Sequence, residues 1–325
     1  MSPPAIPLAN SLRSLHRSPA DHALALVFPG QGSQLVGMAA AACRSSRDAA
    51  AVFTAAEEIL ALPLRRLCFE GPEGELRQTA NAQPAIMAAS LASLAAALES
   101  GALDKRPAFV AGHSLGEYTA LVAAGALTIE DGLRIVARRG SLMEDAGRVR
   151  PGDMAALLGL SEEQVDDLCR EAGVEPCNYN SPAQTVVGGA PGAVELACRL
   201  AHQRGGKGLP LNVSGAFHTS LMADAADAFA AVVDSLPLAD ALIPLVANSS
   251  AAAIETAEDI RLELKEQMLR PVLWRQSLAA MAAAGVRTIV EVGPGRVLSA
   301  LVKRTAPGVR AVSMDGAAAP SLSNV

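Results

Sequence analysis

The segment Gly112-His113-Ser114-Leu115-Gly116 constrains this chain more than any other. Residues 107–111 before it read as a short strand, and helical sequence after it runs through Ala124 and stops near Gly125. Glycine-x-serine-x-glycine between a strand and a helix is the pattern of a nucleophile elbow. So sharp a turn brings neighbouring backbones close, and a Cβ at either flank would clash. The turn lifts the Ser114 hydroxyl clear of the sheet. It aims that hydroxyl at a helix N-terminus, where unpaired N–H groups favour developing negative charge.

The flanking sequence supplies the sheet that such a turn needs. Residues 23–28 are a continuous apolar run ending at Pro29-Gly30, as in strands buried on both faces of a parallel sheet. An Ala-rich helix is expected over residues 83–98, and another from Thr128 to about Asp145, with Asp131 in its first turn. Residues 287–292 form a further buried strand closed by Gly293-Pro294-Gly295. Strands alternating with helices predict a parallel α/β sheet.

The middle of the chain reads differently. After the break at Pro151-Gly152-Asp153 come a strand over 154–160, a helix over 161–172 and extended sequence near 177–180. A strand over 185–189, a helix over 191–203 and a strand around 208–213 follow. The order β-α-β-β-α-β is the ferredoxin-like pattern, here an inserted small domain. The expected division is 23–147 with 223–325 for the large domain and 148–222 for the insert. Residues 1–22, rich in Pro, Ser and Leu with no acid before Asp21, read as a disordered extension. An Arg- and Ser-rich, acid-poor start is also the composition of an organelle transit peptide; the secretory pattern is absent.

Composition excludes several function classes. At about 150 residues per domain, 325 residues suggest two units, or one large α/β domain with an insert. Half the residues are hydrophobic and 18% are charged, enough to bury a core. A net charge of −6 and an aromatic content of 3% argue against nucleic-acid binding, which needs cations for phosphates and rings for bases. Without 18 continuous apolar residues, no membrane span is expected. Five cysteines with no C-x-x-C spacing give neither a disulfide framework nor a zinc site, so a reducing cytoplasm is expected.

A nucleophilic serine needs a base. Of the five histidines, His16 and His22 lie in the extension, and His113 beside Ser114 points away from it and is structural. His202 sits near a helix end among polar residues, which leaves His218, in the loop Ser214-Gly215-Ala216-Phe217-His218-Thr219. The loop Gly30-Gln31-Gly32-Ser33-Gln34 lacks the third glycine of a dinucleotide fingerprint, since Leu35 stands there, and no Gly-Lys-Ser/Thr follows. At the carboxyl end of a parallel strand, its N–H groups are placed to supply half an oxyanion hole. Arg138 and Arg139 lie in an otherwise apolar helix, about 100° apart, so one faces inward toward a carboxylate or phosphate, or into an internal salt bridge.

Taken together, FPGQGSQLVGM (28–38), NAQPAI (81–86), AGHSLGEYTAL (111–121), ARRG (137–140), NYNSPAQTVVGG (178–189), SGAFHTSLM (214–222), RPVLW (270–274) and EVGPGRVL (291–298) resemble the malonyl-CoA:acyl-carrier-protein transacylases. The resemblance runs in order over about residues 23–305. It implies an α/β-hydrolase-like large domain with a ferredoxin-like insert. It also implies that Ser114 is the acyl-accepting nucleophile, His218 its base and Arg139 the ligand of the malonyl carboxylate. Gln31 and the Leu115 N–H would form the oxyanion hole, and the Leu273 carbonyl would hold His218. Asn180 would steady the loop around the site. Phe217 beside the base would crowd an α-methyl branch.

The implied activity is ping-pong malonyl transfer from coenzyme A to the phosphopantetheine thiol of acyl carrier protein. It needs no metal or redox cofactor, and a cytoplasmic monomer is expected. Fatty-acid synthesis is the expected pathway, with a polyketide pathway as the alternative. A serine hydrolase or thioesterase is disfavoured because no acid-then-histidine pair follows the elbow late in the chain. A noncatalytic docking subunit is disfavoured by the intact Ser114, His218 and Arg139.

Overall fold

The computed structural model describes residues 6–315. The chain opens with α1 (Pro7–Arg17) and β1 (Ala20–Phe28), then α2 (Ala40–Ser45), α3 (Arg47–Leu60), α4 (Glu73–Leu76) and α5 (Thr79–Glu99). Next come β2 (Arg106–Gly112), α6 (Gly116–Ala123) and α7 (Ile129–Val149). The middle holds β3 (Asp153–Leu158), α8 (Glu162–Ala172), β4 (Glu175–Ser181), β5 (Gln184–Gly189), α9 (Pro191–Gln203) and β6 (Lys207–Pro210). Then follow α10 (Ala223–Asp234), β7 (Leu245–Val246), β8 (Ala253–Ile254), α11 (Ala257–Glu266), α12 (Trp274–Ala283), β9 (Thr288–Val292), α13 (Val297–Thr305) and β10 (Arg310–Met314).

The strands form two sheets. The larger has the order β10-β9-β1-β2-β7-β8 and is parallel except for β8 at its edge. The smaller has the order β4-β5-β3-β6 and is antiparallel throughout. Strand β1 shows why a continuous apolar run suits the centre of the large sheet. Leu24, Leu26 and Phe28 enter the core shared with α5, while Ala25 and Val27 enter a second core with Trp274, Leu278 and Val302. Both faces of the strand are thus withdrawn from water.

The small sheet is covered on one face by α8 and α9, through Leu157, Val165, Leu168, Val187 and Ala197. Met154, Ala156 and Val186 on its other face join the main core. Helix α8 begins at the expected place, with a capping box between Ser161 and Gln164. The small sheet is tied to the segment between α11 and α12, where Val272 exchanges backbone hydrogen bonds with Cys177 and Tyr179 of β4.

Two sequence expectations change. The extension expected to be disordered contains α1, which buries Leu8, Leu12 and Leu15. Their i, i+4, i+7 spacing is one helical face, and Pro7 at the first turn suits a helix start. The His16 Nε2 bonds the Ala123 carbonyl at the far end of α6, 2.8 Å away, and the first strand begins at Ala20 rather than at residue 23. Helix α5 is long and apolar enough to cross a membrane by composition alone, although Asn81, Gln83, Ser90 and Ser93 interrupt its apolar run. It lies in the main core, with Ala82, Ile86, Ala89 and Leu94 fully buried.

Leu8 is fully buried against this core. Leu8→Ala should therefore cost about 2–5 kcal/mol, the usual loss for a core leucine truncated to alanine. Urea unfolding measures it; an unchanged midpoint would mean that α1 does not pack.

Candidate active site

Three adjacent parallel strands deliver the site at their carboxyl ends, where open α/β sheets place ligands. The loop after β1 carries Gln31, the turn after β2 carries Ser114, and the turn after β7 carries Asn248. The glycines around Ser114 are required by contact. A Cβ on Gly112 would lie 1.9 Å from the Gly116 carbonyl carbon, and one on Gly116 would lie 2.0 Å from the Phe28 oxygen. Ser114 itself has φ +50°, a conformation costly for a side chain and fixed here by the surrounding packing.

The Ser114 Oγ lies 2.7 Å from His218 Nε2 and 3.1 Å from Arg139 Nη2. The His218 Nδ1 lies 2.9 Å from the Gln267 carbonyl oxygen and 3.1 Å from that of Arg270. Carbonyls only accept, so Nδ1 carries the proton and the Nε2 lone pair faces the serine hydroxyl. Burial, followed by the nearby Arg139 charge, lowers the His218 pKa to about 3, which keeps the ring neutral.

The carbonyls at His218 correct the expectation for Leu273. Leu273 is the N-cap of α12, and its oxygen already accepts from Ser277 N at 2.9 Å and Ser277 Oγ at 3.0 Å. Gln267 and Arg270 follow the end of α11, where carbonyls are left without intrahelical partners. Leu273 contributes one step removed: its N–H donates to the Asn248 carbonyl.

Of the two adjacent arginines, Arg138 is exposed and Arg139 is 1% exposed. Arg139 Nη1 donates to Gln83 Oε1 at 3.0 Å, and Nη2 to Gln267 Oε1 at 2.9 Å. Its guanidinium lies 5.5 Å from the centre of the Tyr118 ring. Among the described residues it makes no ion pair, so the internal salt bridge is not what holds it. Burial pulls the Arg139 pKa down.

The remaining expected residues divide. Gln31 lines the cleft, and its Nε2 donates to Thr79 Oγ1 at 3.1 Å. Neither the Gln31 nor the Leu115 backbone N–H donates a hydrogen bond among the described residues. Phe217 lines the cleft beside His218. Asn180 does not reach Ser114; its Oδ1 holds His113 Nε2 at 2.8 Å, and the His113 ring packs on Trp274. His202 is exposed and bonds only within its own helix. The cleft encloses about 330 Å³ and also takes in Met143 and Met154.

Four polar residues were not singled out from sequence: Gln83, Glu117, Asn248 and Gln267, all buried. Gln83 and Glu117 carry a legible signal, since each is a polar residue inside an otherwise apolar helix. Burial and the neighbouring Glu263 push the Glu117 pKa well above the usual carboxylate range, while N–H donors from Asn248 and Gln267 oppose the shift. The cleft thus joins the Ser114 hydroxyl, a neutral imidazole, the Gln31 loop and a guanidinium that makes no ion pair among the described residues.

The chain is similar to known proteins along most of its length. The acyl transferase domain family matches residues 25–320. The malonyl CoA-acyl carrier protein transacylase of Bacillus subtilis (strain 168) is 42% identical over 90% of this chain and 93% of its own. Among solved structures, the malonyl-CoA:acyl carrier protein transacylase of Xanthomonas oryzae pv. oryzae is 41% identical with a TM-score of 0.87, covering 91% of this chain and 95% of that one. A malonyl-transacylase solved in complex with its type II PKS acyl-carrier protein is 38% identical with the same TM-score, covering 90% and 96%. With a serine elbow set against a histidine and a buried arginine, and a family match over nearly the whole described chain, this protein belongs to the acyl transferase domain family.

Proposed function

We propose that this chain transfers a malonyl group from malonyl-CoA to the phosphopantetheine thiol of acyl carrier protein through a malonyl-Ser114 ester, supplying extender units for fatty-acid synthesis. The observation that carries this reading is Arg139: a buried guanidinium without a counter-ion, one hydrogen bond from the nucleophile. An acyl group with a free carboxylate at its far end supplies the missing partner. A planar guanidinium holds a carboxylate by paired hydrogen bonds, which fixes the thioester carbonyl against Ser114.

Each step draws on residues already in place. His218 Nε2 takes the Ser114 proton as Oγ attacks the thioester carbonyl. The carbonyl oxygen gains charge and is met by the Gln31 and Leu115 N–H groups. Collapse of the adduct breaks the C–S bond, and the His218 proton leaves with the coenzyme A thiolate. The carrier thiol then gives its proton to His218 and attacks the malonyl-serine ester; as the C–O bond to Ser114 breaks, His218 returns that proton to Oγ and both residues are restored. Nucleophile, base and anchor all come from side chains, so the reaction needs no metal or redox cofactor.

The solved carrier-protein complex of a relative supports acyl carrier protein as the partner and favours a second reading, a discrete acyltransferase of a polyketide pathway. We read the parallel sheet as α/β-hydrolase-like and the small antiparallel sheet as a ferredoxin-like insert. Five free cysteines fit a reducing cytoplasm, and a monomer that binds neither nucleic acid nor membrane fits the composition.

Purified protein, malonyl-CoA and holo acyl carrier protein, followed by intact mass, test the reading. A malonyl adduct should form on the wild type, be absent from Ser114→Ala and pass to the carrier. Release to water instead would make the protein a hydrolase. Arg139→Ala should lower the ratio of kcat/KM for malonyl-CoA to that for acetyl-CoA by about tenfold to a few hundredfold, from loss of charged hydrogen bonds at about 1.5–3 kcal/mol each. A constant ratio would return Arg139 to a structural role.

The buried histidine sets the pH behaviour. His218→Ala should slow acylation by about a hundred- to ten-thousand-fold. In the wild type, acylation should show no His218 acid limb near 6.5, because protonation waits until a pH toward 3. Stability has the same sign: the unfolded imidazole takes up a proton below about 6.5 while the folded one does not. Folding free energy is therefore lost as pH falls from about 6.5 toward 3, and urea unfolding at stepped pH should show less of that slope in His218→Gln.

A further inference from the structure

The Glu117 carboxyl, wholly buried in the first turn of α6, does not face the cleft, yet both its oxygens are engaged. Oε1 accepts from the Asn248 backbone N–H at 2.8 Å and from Asn248 Nδ2 at 2.9 Å, and Oε2 accepts from Gln267 Nε2. These bonds, together with the Gly112 and Ser114 carbonyls, fix which way two side-chain amides point. Asn248 must turn Nδ2 toward Glu117 and the Gly112 carbonyl, so its Oδ1 receives the Ser114 N–H at 2.7 Å. Gln267 must turn Nε2 toward Glu117 and the Ser114 carbonyl, so its Oε1 receives Arg139 Nη2 at 2.9 Å. A reversed Gln267 amide would present N–H groups to a guanidinium that can only donate.

We propose that Glu117 is a positioning residue for acyl-group selectivity: through Gln267 it holds Arg139 in the orientation that receives a carboxylate. The proposal rests on the reading of Arg139 as the carboxylate anchor. Substituting Glu117 with glutamine leaves size unchanged but replaces one acceptor by an NH2 group. Asn248 offers two donors and Gln267 one, so the new oxygen settles on Asn248 and the new NH2 faces Gln267 Nε2. The Gln267 amide then turns or withdraws, and Arg139 loses an anchor while the Asn248 bond to the elbow survives.

The test measures kcat/KM for malonyl-CoA and for acetyl-CoA in wild type, Glu117→Gln and Gln267→Met, with thermal unfolding alongside. Both variants should lower the malonyl-to-acetyl ratio about tenfold, the scale of one charged hydrogen bond. The loss should fall mainly in KM for malonyl-CoA and exceed whatever either variant does to acetyl transfer. The double variant should lose no more than either single one, because both act along one path. Equal losses for the two thioesters, or an unchanged ratio, overturn the proposal, since a residue that merely supports the fold affects both substrates alike. If one variant fails to fold, the other decides. A wild type that shows no malonyl preference overturns the reading of Arg139 itself, whatever the variants do.

Discussion

A buried guanidinium that makes no ion pair among the described residues is the constraint that organises this molecule's centre. An uncompensated charge away from water is costly, and proteins normally meet it with an ion pair. Here Arg139 is met by the amide oxygens of Gln83 and Gln267, the Ser114 hydroxyl and the Tyr118 ring. These groups orient and partly solvate the charge without neutralising it. The same unneutralised charge, together with burial, keeps His218 unprotonated. One arrangement therefore sets a buried cation and a neutral imidazole on either side of the Ser114 hydroxyl.

Holding such a charge next to Ser114 requires several elements to approach closely. Gly140, one residue after Arg139, lets α7 lie against the start of α5; a Cβ there would come within 2.8 Å of the Thr79 oxygen. Gly116 lets α6 leave the sheet directly over the Phe28 carbonyl. Three parallel strands then present their carboxyl ends side by side, and α11 ends where its last carbonyls meet His218. The small sheet closes the cleft from the other side, bringing Met154 to its wall.

Part of this was legible before any coordinates. The elbow carries its own signature because a strand-to-helix turn this sharp admits only glycine at its flanks. The parallel sheet was visible in continuous apolar strands, and a second group of strands and helices in the order of elements over residues 153–210. Helix α9 falls on residues 191–203 as expected, since Pro191 marks its start. The extension misled: composition reads as disorder, whereas the spacing of Leu8, Leu12 and Leu15 is the informative feature.

By itself the sequence determined the strand-turn-helix around Ser114, the parallel α/β sheet and the shortlist of candidate residues beside it, because these depend on local rules of turn geometry, periodicity and residue type. Only the tertiary structure decided between Arg138 and Arg139 on the ground of burial, since the helix could have turned either side inward. It also decided which carbonyls hold His218: Leu273 begins a helix and its oxygen is already used, whereas Gln267 and Arg270 follow a helix end. The orientation of the Gln267 and Asn248 amides lay furthest from the sequence. Glu117, which accepts from both amides, stands 131 positions from Asn248 and 150 from Gln267, and a hydrogen-bond network of that span exists only once the chain has closed on itself.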